Sequence, residues 1–192
     1  MLTASPALAK TEGNYLGVYG MLAKASPKDT SDTNGQVSKD STRRVRLGFN
    51  YQHAFNLNNF FVSPEVFVEA LELQNNATAS SSGDKLEINS RYGFKANVGY
   101  DVNEKFSPYV TLGRGVVEYS SQKTDTTTGD EVKKMSAQSG TIYGLGANFH
   151  INESLTANLE YNKQNVGLNQ ALDEGKYKTD ITSLRFGVAY HF

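Results

Sequence analysis

The stretch Lys85-Leu-Glu-Ile-Asn-Ser-Arg-Tyr-Gly-Phe-Lys-Ala-Asn-Val-Gly-Tyr-Asp-Val102 decides the fold. Its even positions are Leu86, Ile88, Ser90, Tyr92, Phe94, Ala96, Val98, Tyr100 and Val102, and its odd positions are Glu87, Asn89, Arg91, Gly93, Lys95, Asn97, Gly99 and Asp101. Successive side chains of a strand point to opposite sides, so this alternation makes one greasy face and one polar face. At about three times the usual globular strand length, such a segment is rarely found in a soluble sheet.

The same period of two recurs in Arg44 to Phe55, Phe60 to Gln74, Phe106 to Ser120, Tyr143 to Ile151, Leu155 to Lys163 and Thr182 to Phe192. Asn14 to Leu22 is aromatic and glycine-rich, and its pattern leaves open which face is which. Three tight Asn-rich connections, Asn56 to Asn59, Asn103 to Lys105 and Asn152 to Ser154, suit hairpin turns. They alternate with long polar stretches at Ala23 to Thr42, Asn75 to Asp84, Ser121 to Ser139 and Asn165 to Lys178. Eight antiparallel strands follow, with every long loop at one end. An eight-stranded up-and-down transmembrane β-barrel, with short periplasmic turns and long extracellular loops, has that asymmetry.

Composition agrees by exclusion. The 192 residues contain no Cys, which removes disulfides, thiolate metal sites and thiol nucleophiles. A net charge of −1 leaves no basic footprint for nucleic acid. No apolar run reaches the roughly 18–20 residues of a spanning helix, but a spanning strand needs only about 9–11. A water-soluble barrel shares the strand count, and the face identities separate the two cases. The narrow interior of eight strands fits the Gly, Asn, Gln and Ser face better than the aromatic one, so the greasy face is expected to meet lipid.

Charges on the polar face then become interior groups. If Phe55 faces Phe60 across the first tight turn, Arg46 lies opposite Glu69, with Glu65, Lys95, Glu160 and Arg185 at comparable depth. Arg46, Lys95 and Arg185 against Glu65, Glu69 and Glu160 would form a neutral packed layer, because an unpaired charge there costs several kcal/mol. Phe106 to Ser120 sends Arg114 and Glu118 outward. Either Arg114 snorkels to phosphates at the outer interface, or a bulge at Gly113 to Gly115 returns both charges inward.

Catalysis finds little support. His53 falls outward, and His150 and His191 fall inward, all near the short-turn end, and no nucleophile, base and orienting group gather at the loop end. No catalytic residue, metal site or cofactor is expected.

Phe186, Val188, Tyr190 and Phe192 end the chain as an alternating aromatic strand, which resembles the terminal signature that outer-membrane assembly machinery reads. With Phe61-Val-Ser-Pro-Glu-Val-Phe-Val-Glu69, Lys95-Ala-Asn-Val-Gly-Tyr100, Pro108-Tyr-Val-Thr-Leu-Gly113 and Asn158-Leu-Glu-Tyr161, the chain resembles the small OmpA/OmpX-like and opacity-protein-like outer-membrane barrels over residues 13 to 192. The resemblance implies an interior Glu/Arg/Lys network with Glu69 and Glu160 as acidic members, and Asn97 stands where a Lys would be expected. It also implies a non-enzymatic integral outer-membrane protein of a Gram-negative cell, structural and loop-presented as an antigen or adhesin. The alternative is a narrow porin-like channel gated by the interior charges. Expected partners are outer-membrane lipids and lipopolysaccharide, the barrel-assembly machinery and a host-surface ligand at the loops, for a monomer. Residues 1–12, with Ala7-Leu8-Ala9, read as a signal-peptide remnant or a flexible tail.

Overall fold

The computed structural model describes residues 12–28, 44–75, 85–124, 131–169 and 176–192. These form eight antiparallel strands: β1 (Gly13–Lys28), β2 (Arg44–Leu57), β3 (Phe60–Asn75), β4 (Lys85–Tyr100), β5 (Phe106–Thr124), β6 (Glu131–His150), β7 (Leu155–Asn169) and β8 (Lys176–His191). Each pairs with its sequence neighbours and β8 closes on β1, so no edge is left open. Closure satisfies the backbone internally, as a sheet in hydrocarbon requires. Of the expected N-terminal segment, residues 1–11 lie outside the described residues.

Following the register once around fixes the tilt. Gly17 pairs with Asn50, Asn50 with Phe67, Phe67 with Gly93, Gly93 with Gly115, Gly115 with Gly140, Gly140 with Val166, Val166 with Thr179, and Thr179 with Pro27. The walk returns to β1 ten residues beyond its start. For eight strands this shear tilts each by about 40°, so a residue climbs roughly 2.5 Å along the axis. Outward residues are greasy from Leu57, Phe60 and Tyr100 at the short-turn end to Leu22, Leu47 and Tyr92 at the other. At that pitch the band is about 25 Å tall, the height of a membrane barrel's apolar belt.

Exposure shows the inversion directly. Leu112 and Phe186 are each 64% exposed, whereas Glu69 and Lys95 are 1% and 2% exposed. In β1 the odd residues Tyr15, Tyr19 and Met21 are buried, which settles its facing.

The short turns explain their asparagines. Lys105 N–H donates to Asn103 Oδ1 at 2.8 Å, and Ser154 N–H to Asn152 Oδ1 at 2.9 Å, each side chain closing its own turn. The β2–β3 turn is tighter than the sequence suggested: Leu57 pairs with Phe60, leaving two residues, and Asn58 takes a left-handed φ of 62° that asparagine tolerates.

The structure chooses between the two readings of Arg114 and adds two features that were not foreseen. The β4–β5 and β5–β6 registers run unbroken through Gly113 to Gly115, so there is no bulge there, and Arg114 stays outward. Shifts fall instead at Ala70/Leu73 and Ile88/Ser90. The stretches read as loops at Ser121 to Ser139 and Asn165 to Lys178 are in large part strand: β5 pairs with β6 as far as Thr124 and Glu131, and β7 with β8 as far as Asn169 and Lys176. Beyond the membrane the outward face turns polar while Val117, Tyr119, Val166 and Ile181 are buried inside, so the greasy outward alternation that marks a membrane strand fades while the ladder continues.

Candidate functional site

The interior layer is assembled by parity. Odd positions of β3, β4 and β8 point inward, as do even positions of β7, bringing Glu65, Glu69, Arg91, Lys95, Glu160 and Arg185 into the lumen. Their side chains are at most 4% exposed. Glu160 is the hub. It accepts from Lys95 Nζ at 2.7 Å, Arg185 Nη1 at 3.0 Å, the Tyr109 hydroxyl at 3.0 Å and Asn162 Nδ2 at 2.7 Å. Glu65 lies 3.2 Å from Arg185 Nη2 and 3.4 Å from Lys95 Nζ. Glu69 takes the Tyr19 hydroxyl at 2.9 Å and Arg91 Nε, with Arg185 Nε at 3.8 Å.

Arg91, rather than Arg46, stands opposite Glu69 in this layer. It donates to Glu69, to Gln164 Oε1 at 3.4 Å and to Ser183 Oγ at 3.2 Å. The reason is the two-residue β2–β3 turn, which pairs Phe55 with Val62 instead of Phe60. Glu69 therefore faces Gly48, and Arg46, inward and half-buried, sits opposite Met21. A two-residue slide keeps every side chain on its face but changes its partner. Three cations still meet three carboxylates. Asn97, where the family resemblance leads one to expect a Lys, donates to Glu65 Oε2 at 3.0 Å and to Gln52 Oε1 at 3.3 Å, while Lys95 supplies the charge one pleat away.

Two glycines make room for this layer. A Cβ on Gly48 would lie 2.4 Å from Tyr19 Cε2, and one on Gly146 would lie 2.4 Å from Tyr109 Cζ. Each tyrosine ring lies over a glycine of the adjoining strand and carries its hydroxyl to a glutamate. Tyr19 also lies under the Arg185 guanidinium, 3.6 Å from ring centroid to Cζ, a cation–π contact in a desolvated place. Sequence reading passed over both tyrosines. Their signal was an inward Tyr opposite a Gly at a paired position.

The histidines stay at the short-turn end. His53 Nδ1 lies 2.8 Å from Asn14 Oδ1 on the outside, and His191 stacks on Tyr15 with centroids 4.5 Å apart. His150 Nδ1 lies 3.0 Å from Thr156 Oγ1, and its Nε2 lies 3.3 Å from Ser107 Oγ. Ser107 in turn donates to Asp101 Oδ1 at 2.6 Å. Ser, His and Asp thus meet, but the carboxylate takes the serine's proton rather than orienting the imidazole, and Ser107 is 0% exposed. This order does not build an activated nucleophile.

The arrangement can fill and lock a lumen, and among the described residues no reacting centre faces solvent. Among solved structures, Ail, the attachment invasion locus protein of Yersinia pestis, superposes with a TM-score of 0.56 at 15% identity, covering 94% of this chain and 99% of that one. Neisserial surface protein A superposes at 0.51 with 17% identity, covering 94% and 98%. Ail has also been solved in complex with the heparin analogue sucrose octasulfate. No curated protein matches the chain. A family model described as outer membrane protein beta-barrel domain matches residues 1–192, and the chain belongs to that family, as an integral protein of the outer membrane.

Proposed function

We propose that this barrel is a non-enzymatic surface protein whose loop-side hairpins bind a ligand outside the cell, in the manner of an adhesin. One observation carries the reading. The β5–β6 ladder continues from Arg114 to Thr124, ten residues past the greasy band. β4 accompanies β5 as far as Lys85 opposite Gln122, so the strand wall itself rises about 25 Å above the membrane at the barrel's pitch, with the β5–β6 hairpin at its top. A rigid scaffold that lifts polar segments away from the lipid headgroups suits recognition of a large partner. The likeness to Ail, whose name describes attachment and invasion, is a likeness of fold and adds only context.

The channel alternative gains less support. Arg91, Gln164, Glu69, Tyr19 and Met21 are among the largest fully buried side chains, and all of them occupy the lumen. An ion would have to part the Glu160 and Glu69 clusters to pass.

The test is adhesion. Cells displaying the barrel should bind cultured host cells, and replacing residues 121–134 with a short Gly-Ser turn should abolish binding while the barrel remains inserted. Unchanged adhesion of that variant, together with unchanged adhesion after shortening each other loop, would overturn the reading.

A further inference from the structure

At the loop-side edge of the greasy band, five consecutive strands present a polar outward residue: Arg114 on β5, Thr141 on β6, Lys163 on β7, Thr182 on β8 and Lys24 on β1. The register makes them neighbours. Arg114 pairs with Thr141, Lys163 with Thr182, and Thr182 with Lys24, while Thr141 pairs with Asn165, one pleat from Lys163. Cations and threonines therefore alternate strand by strand. Neighbouring cations stand two strands apart, about 10 Å across the sheet, and at the barrel's pitch the five lie within about 8 Å of one level. The other three strands carry Leu47, Ala70 and Tyr92 at that height.

The row is net positive. Asp180 holds Lys163 at 2.7 Å, and Glu118, further along β5, accepts from Ser90 Oγ at 2.6 Å on the β4 side. Arg114 is exposed and anchored by Ser139 Oγ, 3.3 Å from Nε and 2.8 Å from Nη2, which leaves most of its guanidinium fork for another acceptor. Directly below the row lie Leu112, Tyr143, Tyr161 and Leu184, all exposed toward lipid. Simple snorkelling would scatter cations around the circumference. Here they occupy one half of it, interleaved with hydroxyl donors and seated over a greasy wall.

We propose that this half-rim is a seat for a membrane lipid whose headgroup carries two phosphate groups. One phosphate lies between Arg114 and Lys163 with the Thr141 hydroxyl. The other lies between Lys163 and Lys24 with the Thr182 hydroxyl, and the acyl chains run down over Leu112 and Leu184. Guanidinium and ammonium N–H groups are strong phosphate donors, so the protein supplies the positive charge that divalent ions otherwise bring between phosphates. The seat is independent of any ligand bound by the hairpins above it.

The experiment uses the full chain in phosphatidylcholine nanodiscs doped with diphosphoryl lipid A, re-extracted into mild detergent with EDTA and weighed by native mass spectrometry. One diphosphoryl lipid A should remain per barrel, and fully dephosphorylated lipid A and phosphatidylglycerol should be lost. Lys24→Gln, Arg114→Gln and Lys163→Gln should each weaken retention roughly fivefold, as expected for one cation near a charged membrane surface. All three residues face outward, and insertion is verified by circular dichroism; if a variant fails to insert, the comparison of phosphorylated with dephosphorylated lipid on the unaltered chain decides alone. Equal retention of the two forms, or of phosphatidylglycerol, would overturn the seat, as would loss of the lipid to EDTA. Inorganic phosphate displacing the lipid at low millimolar concentration would assign the row to free anion instead.

Discussion

Replacing Glu160 with Gln tests the interior layer most severely. The substitution keeps shape but removes the charge that Lys95 and Arg185 share, leaving both cations to Glu65 at 3.4 and 3.2 Å, with Arg185 also 3.8 Å from Glu69. Removing one partner from a buried ion pair costs about 3–5 kcal/mol, because the surviving charge stays desolvated. With a urea slope of about 2 kcal/mol per molar, the unfolding midpoint should fall by roughly 1.5–2.5 M. The assay is equilibrium urea unfolding of the barrel in lipid bilayers, followed by tyrosine fluorescence and by gel mobility. Lys95→Met in the same background should recover part of the loss, because it restores neutrality; the two single variants and the double variant form a cycle with a coupling of about 1–3 kcal/mol. Glu104→Gln, in an exposed turn, serves as the control and should not shift the midpoint. If Glu160→Gln unfolds within 0.5 M of the parent, the lumen is wet enough to screen these charges at about surface strength, and the locked layer is wrong.

Gly48→Val should push the Tyr19 ring off its place, break its bond to Glu69 and destabilise the barrel by about 2–4 kcal/mol, measurable in the same titration. Planar bilayers should show no steady conductance for the parent chain, and Arg185→Ser with Glu160→Ser should produce open events; large conductance in the parent would reverse the preference for a closed lumen. Trypsin added to intact cells should cut at Lys39 and Arg43 and spare Lys95 and Arg185, whereas cleavage confined to Lys105 would invert the inside–outside assignment. Phe192→Ser should lower the inserted fraction several-fold in cells while leaving refolding into detergent intact, read by heat-modifiable gel migration.

The fold was legible because facing is a parity, and parity survives local error. Shifting a strand by two residues leaves Glu69 and Lys95 inward, so Glu65, Glu69, Lys95, Glu160 and Arg185 could be placed in the lumen from alternation alone. Partners depend on register, which a single turn sets. Reading Asn56 to Asn59 as the whole connection, when only Asn58 and Asn59 form it, set Arg46 opposite Glu69, and Arg91, reached through the β3–β4 register, was passed over. In β1 both faces are apolar or aromatic, with Tyr15, Tyr19 and Met21 inward against Leu16, Val18 and Leu22 outward, so parity itself was unreadable. The upper halves of β5 to β8 were hidden for another reason: the outward face there is polar, and the few apolar residues, such as Val166, point inward. The rim row needed the register of four strand pairs, which no single segment carries.

Closure has a consequence for synthesis. Phe192 N–H donates to Asn14 O at 3.0 Å and Asn14 N–H to Phe192 O at 3.3 Å, so the seam joins the earliest and the latest strands to be made. Until β8 arrives, a nascent chain is a greasy ribbon with two raw edges, open to any neighbour that offers a strand. The cell must therefore escort all eight strands before the first lasting contact across that seam can form.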